Sequence, residues 1–251
     1  MIPVKKFDYK HAHMIAGHRG DRACCPENTM ASFRSAVEKG VDMLETDIHM
    51  TKDGVLYLMH NHTVDSTTDG TGAVREKTAR EMDALRSRGE KIPTLEELLI
   101  YAQGNDVLLN LELKDWYDVV GEAFARESIQ KSYDMVEKYG LLDRVIFNSF
   151  DAWTLEYLAD RYDCRLHGFY PYSHMRTVRR NPDEYLYCAC SYDEFNPDAY
   201  AYLADRGIEC WIGPSMKNRE QYRQTMELGA VLYTVDDPGD AIAQLDALGA
   251  R

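Results

Sequence analysis

The chain is short of basic residues. Lys and Arg total 29 against 42 Asp and Glu, a net charge of −13. Such a surface repels a phosphate backbone and an anionic leaflet at long range, which excludes nucleic acid as the expected partner. Long apolar runs are also missing. No segment approaches the roughly 18 consecutive apolar residues that a bilayer requires, so no stable membrane insertion is expected. Met1 to Lys10 has no apolar stretch after its lysines, so no secretory leader is expected there. Cys24, Cys25, Cys164, Cys188, Cys190 and Cys210 form no C-x-x-C pair. They read as reduced thiols of a cytoplasmic protein. Internal repeats, low-complexity tracts and a dividing linker are all absent, so residues 1–251 read as one domain.

What remains is a regular alternation. Short apolar runs at Met14–Gly17, Val41–Met50, Val55–Met59, Val107–Leu113 and Val145–Phe150 read as strands. Further runs lie near Arg165–Phe169, Leu186–Ala189, Glu209–Ile212 and Ala230–Thr234. Between them fall helical patterns such as Asn28–Lys39, stopped by Gly40, and the helix opened by Pro93-Thr94 with Glu97 at capping-box spacing. Strand–helix alternation implies a parallel sheet with helical crossovers. Gly17-His18-Arg19-Gly20 does not fit the G-x-G-x-x-G loop of an open doubly wound sheet. The expected fold is therefore α/β, a TIM (β/α)8 barrel. Nine candidate strands compete for eight places, and Leu186–Ala189 is the run to demote. The polar stretch between His60 and Pro93 interrupts the rhythm, and a loop of that length is functional or a small subdomain.

In such a barrel catalytic groups project from the C-terminal strand ends. His18 and Arg19 end the first strand. Glu45 and Asp47 lie near the end of the second, His60 ends the third, and Glu112 and Lys114 end the fourth. Residues i and i+2 of a strand share a face, so Glu45 points with Asp47, and Glu112 with Lys114. Three converging carboxylates repel unless something neutralises them, and Mg²⁺ or Ca²⁺, which prefer oxygen ligands, would do so. The competing reading pairs Glu112 with Lys114 and leaves Glu45 and Asp47 in solvent. His18 and His60 suit a general base and a general acid, while Arg19 and Lys114 suit an anionic group. Together these residues suit phosphoryl transfer, where charge stabilisation and positioning dominate. His11 and His13 precede the first strand and belong to the wrong face for ligands. His62 is expected in the solvated loop.

The same residues carry a resemblance. His18-Arg19-Gly20, Pro26-Glu27-Asn28-Thr29, Glu45-Thr46-Asp47, Thr51-Lys52-Asp53-Gly54, His60, Ile92-Pro93-Thr94-Leu95 and Leu111-Glu112-Leu113-Lys114 occur in the order of the glycerophosphodiester phosphodiesterase family, which the chain resembles. The match is dense over residues 14–114 and thinner beyond, at Asn148-Ser149-Phe150 and Tyr233-Thr234-Val235-Asp236. The resemblance implies a small inserted subdomain after the third strand, over 62–91, and a metal-dependent hydrolase that releases glycerol 3-phosphate and an alcohol. It implies Glu45, Asp47 and Glu112 as metal ligands, His18 and His60 as the acid–base pair, and Arg19 and Lys114 as phosphate contacts. Two positions depart from the pattern. Asn61 stands where the family usually has Asp, and Tyr233 to Asp236 replaces Trp-Thr-Val-Asn. Tyr233, and Trp211 at the end of the preceding strand, stand as candidate aromatic walls of the substrate pocket. Two other functions stay open: a phosphodiesterase directed at lysophospholipids or sphingolipids, and a barrel that binds a phosphorylated metabolite without turnover. Oligomeric state and the choice between Mg²⁺ and Ca²⁺ are open at this stage.

Overall fold

The computed structural model describes residues 6–251. Its strands and helices, in chain order, are β1 (Met14–His18), α1 (Met30–Lys39), β2 (Met43–Met50), β3 (Leu56–Leu58), α2 (Ala79–Ala84), β4 (Arg86–Ser87), β5 (Glu90–Lys91), α3 (Leu95–Gln103) and β6 (Leu108–Leu113). They continue with α4 (Tyr117–Val120), α5 (Glu122–Lys138), β7 (Val145–Asn148), α6 (Ala152–Ala159), β8 (Arg165–Tyr170), β9 (Cys188–Ser191), α7 (Pro197–Ala204), β10 (Glu209–Ile212), α8 (Arg219–Leu228), β11 (Leu232–Val235) and α9 (Pro238–Asp246). Eight strands run parallel in the order β1, β11, β10, β9, β8, β7, β6, β2, and β2 pairs back with β1. The sheet therefore closes on itself as a TIM barrel.

The strand count is settled differently from the sequence expectation. β3, taken as the third barrel strand, runs antiparallel to β2, with Ile48 opposite Leu58 and Met50 opposite Leu56. The turn at Thr51–Gly54 is the physical reason. Only a few residues separate β2 from β3, and a parallel return needs a crossover of about a dozen or more. A hairpin is all that fits, closed by Thr51 N–H bonding the Val55 carbonyl at 2.9 Å. The run chosen for demotion, by contrast, leads into β9, which sits in the barrel wall between β8 and β10. Beyond β3 the chain leaves the barrel and packs Met59, Val64, Val74, Met82 and Ile92 with Tyr57 into a small cluster of their own. α2 and the β4–β5 ribbon lie in this stretch, which returns to the barrel at α3. Thr94 and Glu97 form the capping box read from the sequence.

The barrel interior has two halves. At the N-terminal end of the strands, Met14, Ala16, Met43, Ile146, Cys188, Trp211 and Leu232 meet in an apolar plug with Phe7. On the outer wall, Leu44, Ile48, Leu109, Leu111, Leu113 and Phe147 pack under the helices in the main core. Alternation along each strand then sends Glu45, Asp47, Asn110, Glu112 and Asn148 inward. They lie above the plug, at the C-terminal end of the barrel. No helix of the described residues is long and apolar enough to cross a membrane.

Candidate active site

The turn after β1 builds the first wall. Arg19 sits in the left-handed region at φ 55°, and Gly20 follows at φ 84°. A Cβ on Gly20 would run into the Ser32 side chain and lie 2.8 Å from the Ser32 carbonyl oxygen, so only glycine fits. This tight turn aims the Arg19 N–H at Glu45 Oε2, 2.9 Å away, while the guanidinium reaches Glu27 at 2.8 Å and Asp47 at 3.4 Å. The following loop sets the second wall. Asn28, also left-handed at φ 55°, donates to Asp47 Oδ2 at 2.8 Å and accepts from Thr46 at 2.7 Å. Thr29 then caps α1 by accepting from the Ser32 N–H. Glu27 and Asn28 thus hold the arginine and the carboxylate in place. Neither role was visible from spacing.

Glu45, Asp47 and Glu112 converge as the shared strand faces require. One ligand oxygen from each lies within 4.8 Å of the others. All three are buried, so the reading that left Glu45 and Asp47 in solvent fails. The Lys114 partnership it proposed does exist. Lys114 Nζ lies 2.5 Å from Glu112 and 3.1 Å from Asp47. Burial, reinforced by repulsion from Asp47 and Glu112, lifts the Glu45 carboxyl well above its ordinary range. Burial raises Glu112 too, although Lys114 opposes it. Burial would also raise Asp47, but Lys114, Arg19, His60 and the Asn28 amide outweigh it and hold Asp47 below the usual range. Two cations against three packed carboxylates leave the cluster short of positive charge. Its all-oxygen donor set fits a hard divalent cation.

Two histidines flank this cluster. His18 ends β1, and its Nδ1 lies 2.6 Å from Asp236 Oδ1 on the loop after β11. Arg22 bridges Asp236 and Glu27 at 3.5 and 3.3 Å. His60 follows β3, where Met59 N–H bonds the Asp47 carbonyl at 2.9 Å and so fixes the histidine above the carboxylates. His60 Nδ1 donates to Asn61 Oδ1 at 2.6 Å. Burial, only partly countered by Asp47, lowers its imidazole below the ordinary value. His18, Arg19, Glu45, His60, Glu112 and Lys114 share one cavity of about 460 Å³. On its far side stand Asn148, Phe150, His167, Phe169 and Tyr192. Phe150 and Phe169 are stacked with centroids 3.5 Å apart, and half-exposed Tyr192 lies 6.4 Å from Phe150.

Two expected pocket walls lie elsewhere. Tyr233 is fully buried on the outer face of β11, its hydroxyl 2.9 Å from Thr225 Oγ1 and its ring against Tyr222. Strand alternation is the cause, since the next residue, Thr234, faces the cavity instead. Trp211 points inward but one layer too low. It is fully buried in the apolar plug, and its Nε1–H bonds Glu209 at 3.1 Å. The aromatic wall is instead Phe150, Phe169 and Tyr192. His62 is partly buried rather than free in the loop. Its ring packs 4.9 Å from His49 and 5.2 Å from Trp116, and burial brings it down to about 4. His11 and His13 bond Asp42 and the Ala230 carbonyl at the opposite end of the barrel.

The chain is similar to several known proteins. The glycerophosphodiester phosphodiesterase of Caldanaerobacter subterraneus subsp. tengcongensis is 37% identical over 150 residues, 57% of this chain and 60% of that protein. Human glycerophosphodiester phosphodiesterase 1 is 39% identical over 127 residues, 46% of this chain and 37% of that protein. The matches thus span less than two thirds of these relatives. Among solved structures, a glycerophosphodiester phosphodiesterase from Agrobacterium tumefaciens superposes with a TM-score of 0.77 at 22% identity, covering 93% of this chain and 99% of the other. An Oleispira antarctica phosphodiesterase in complex with the product sn-glycerol-3-phosphate gives 0.78 at 20% identity, covering 93% and 96%. These structures share the fold. The sequence profile of the glycerophosphoryl diester phosphodiesterase family matches residues 18–251, and the chain belongs to that family.

Proposed function

We propose that the protein hydrolyses a small glycerophosphodiester to glycerol 3-phosphate and an alcohol, with Mg²⁺ or Ca²⁺ held by Glu45, Asp47 and Glu112. The observation that carries this is a buried carboxylate triad, two of whose members, Glu45 and Glu112, line one cavity with two histidines and two cations. A bound divalent cation would supply charge stabilisation for the phosphoryl oxygens. Arg19 and Lys114 would bind the same anionic group from the protein side. His18 and His60 each engage an acceptor through Nδ1, Asp236 and Asn61 respectively, so the proton sits there and Nε2 is left to take or give one. That is the pattern expected of a general acid–base pair acting on the attacking water and the leaving alcohol.

The proposal takes residues 1–251 as one cytoplasmic barrel unit, with 62–91 as an insertion. The aromatic wall of Phe150, Phe169 and Tyr192 favours a second reading, in which a lysophospholipid rests its chain there. The deciding experiment is glycerol 3-phosphate release from a panel of glycerophosphodiesters. It is run with chelator and then with Mg²⁺ or Ca²⁺ restored, with lysophosphatidylcholine as a parallel arm. Chelator-sensitive release supports the proposal. Turnover of the lysolipid alone supports the second reading, and no turnover by folded, metal-supplied protein refutes both.

A further inference from the structure

The cavity floor carries two polar atoms that no other protein atom satisfies. Asn148 Oδ1 and His167 Nε2 are buried without a hydrogen-bond partner, and both side chains line the cavity at 3% exposure. An unsatisfied buried polar group costs about 1–3 kcal/mol, so a pair of them at a cavity wall calls for a ligand. Neither belongs to the carboxylate triad or the histidine pair already described.

The hydrogen-bond pattern defines what the pair presents. The Asn110 amide lies against His167 Nδ1, its nitrogen at 3.1 Å and its oxygen at 3.4 Å, so it can hold the ring in either tautomer. Burial drops the imidazole to about 3, which keeps it neutral. Trp211 and Phe169, with centroids 5.0 and 5.3 Å away, fix its plane. The floor therefore offers an imidazole nitrogen and a primary amide, which between them can present one donor and one acceptor. They stand on adjacent strands, since Asn148 and His167 are register partners, and Asn148 is also the register partner of Glu112. A donor beside an acceptor matches a group that accepts and donates through one atom, which is a hydroxyl. A hydroxyl fits whichever tautomer the ring takes, since it can donate to one of the two groups and accept from the other.

We infer that Asn148 and His167, oriented by Asn110, form a hydroxyl-binding subsite for the polyol half of the diester. This seats the polyol on the floor beside Glu112 and sends the leaving alcohol to the mouth beside Phe150 and Tyr192. The inference rests on the phosphodiesterase reading above and adds which half of the substrate is selected, and by what.

The test is calorimetric binding of three phosphomonoesters in the presence of Mg²⁺: sn-glycerol 3-phosphate, propane-1,2-diol 1-phosphate and propane-1,3-diol phosphate. The expected result is that the native protein binds at least one deoxy compound about tenfold more weakly or worse, equivalent to about 1.4 kcal/mol. Asn148→Leu and His167→Phe should each bring that ratio close to one while retaining the deoxy compound. Nitrogen NMR of the unmutated protein gives a reading that does not depend on the variants folding. The His167 Nε2 resonance should shift with glycerol 3-phosphate and stay put with inorganic phosphate. Equal affinities for all three compounds, an unchanged ratio in folded variants, or an unmoved His167 signal would overturn the subsite and leave water as its only occupant. Failure of folded, Mg²⁺-supplied protein to bind any of the three would overturn the phosphodiesterase reading itself.

Discussion

Lys114→Met is the substitution that weighs most on the carboxylate cluster. The side chain keeps its length and loses its charge, so packing around the 4% exposed residue is preserved. What disappears is the ammonium between Glu112 at 2.5 Å and Asp47 at 3.1 Å. Breaking a buried pair by deleting one partner costs about 3–5 kcal/mol, because the other charge stays buried. For a chain of this size about 1 kcal/mol moves Tm by roughly 2–4 °C, so the variant should melt about 10 °C lower in chelator. A divalent cation should reverse much of that loss. In the native protein it must share its oxygens with Lys114, whereas in the variant it supplies the missing charge. At a metal concentration of ~100 Kd it contributes about 2.7 kcal/mol. The variant should therefore gain more Tm from Mg²⁺ than the native protein does, and yet turn over about 10²–10³ times more slowly for want of a phosphate contact. Scanning calorimetry in chelator and across a Mg²⁺ titration, with turnover measured alongside, checks all three. A variant that melts with the native protein in chelator, or that Mg²⁺ stabilises no more than the native protein, would refute the account of the cluster.

Glu45→Gln should abolish metal-dependent turnover and leave the metal-free protein at least as stable near neutral pH. An acid whose folded pKa is raised costs stability at every pH above its unfolded value of about 4.3, and Gln has nothing to ionise; a large drop in Tm would contradict this. Asn61→Asp places a carboxylate on His60 Nδ1, stabilises the imidazolium and should move the acid limb of kcat/KM up by about one pH unit. A limb that does not move means that His60 is not the group titrating there. Tyr233→Phe should cost about 1 kcal/mol in urea unfolding, through the lost Thr225 bond, with kcat and KM unchanged. A changed KM would return Tyr233 to the substrate pocket.

Much of the site could be read from strand parity. Glu45 with Asp47, and Glu112 with Lys114, needed only a correct strand and the two-residue repeat. The failures have equally local causes. The short span between β2 and β3 forces an antiparallel hairpin, which the alternation of apolar runs does not reveal. The Cys-Ala-Cys-Ser composition of β9 gave a weak strand signal. Tyr233 and Trp211 were assigned by resemblance and by nearness to strand ends. Parity puts Tyr233 outside, and depth puts Trp211 a layer below. Asp236 as the partner of His18 could not be foreseen, because 218 residues separate them. The floor residues did leave a trace. Asn110 is in phase with Glu112 inside an otherwise apolar strand, and Asn148 closes another.

His60 reaches the site on β3, an arm outside the barrel wall. The arm is clamped on one side by its pairing to β2 and on the other by the Leu58 N–H bond to the Pro93 carbonyl. The stretch between His62 and Lys91 is tied to the same hairpin at further points. Lys52 N–H bonds the Lys77 carbonyl at 2.8 Å, the Ala79 N–H bonds Asp53 at 2.9 Å, and the Tyr57 hydroxyl donates to the Ala79 carbonyl at 3.0 Å. Its apolar cluster is shared with the hairpin, since Val64, Val74 and Met82 pack with Tyr57, Met59 and Ile92. A change in this polar stretch is therefore felt at β3, and through it the height of one candidate histidine depends on packing outside the barrel as well as on the barrel itself.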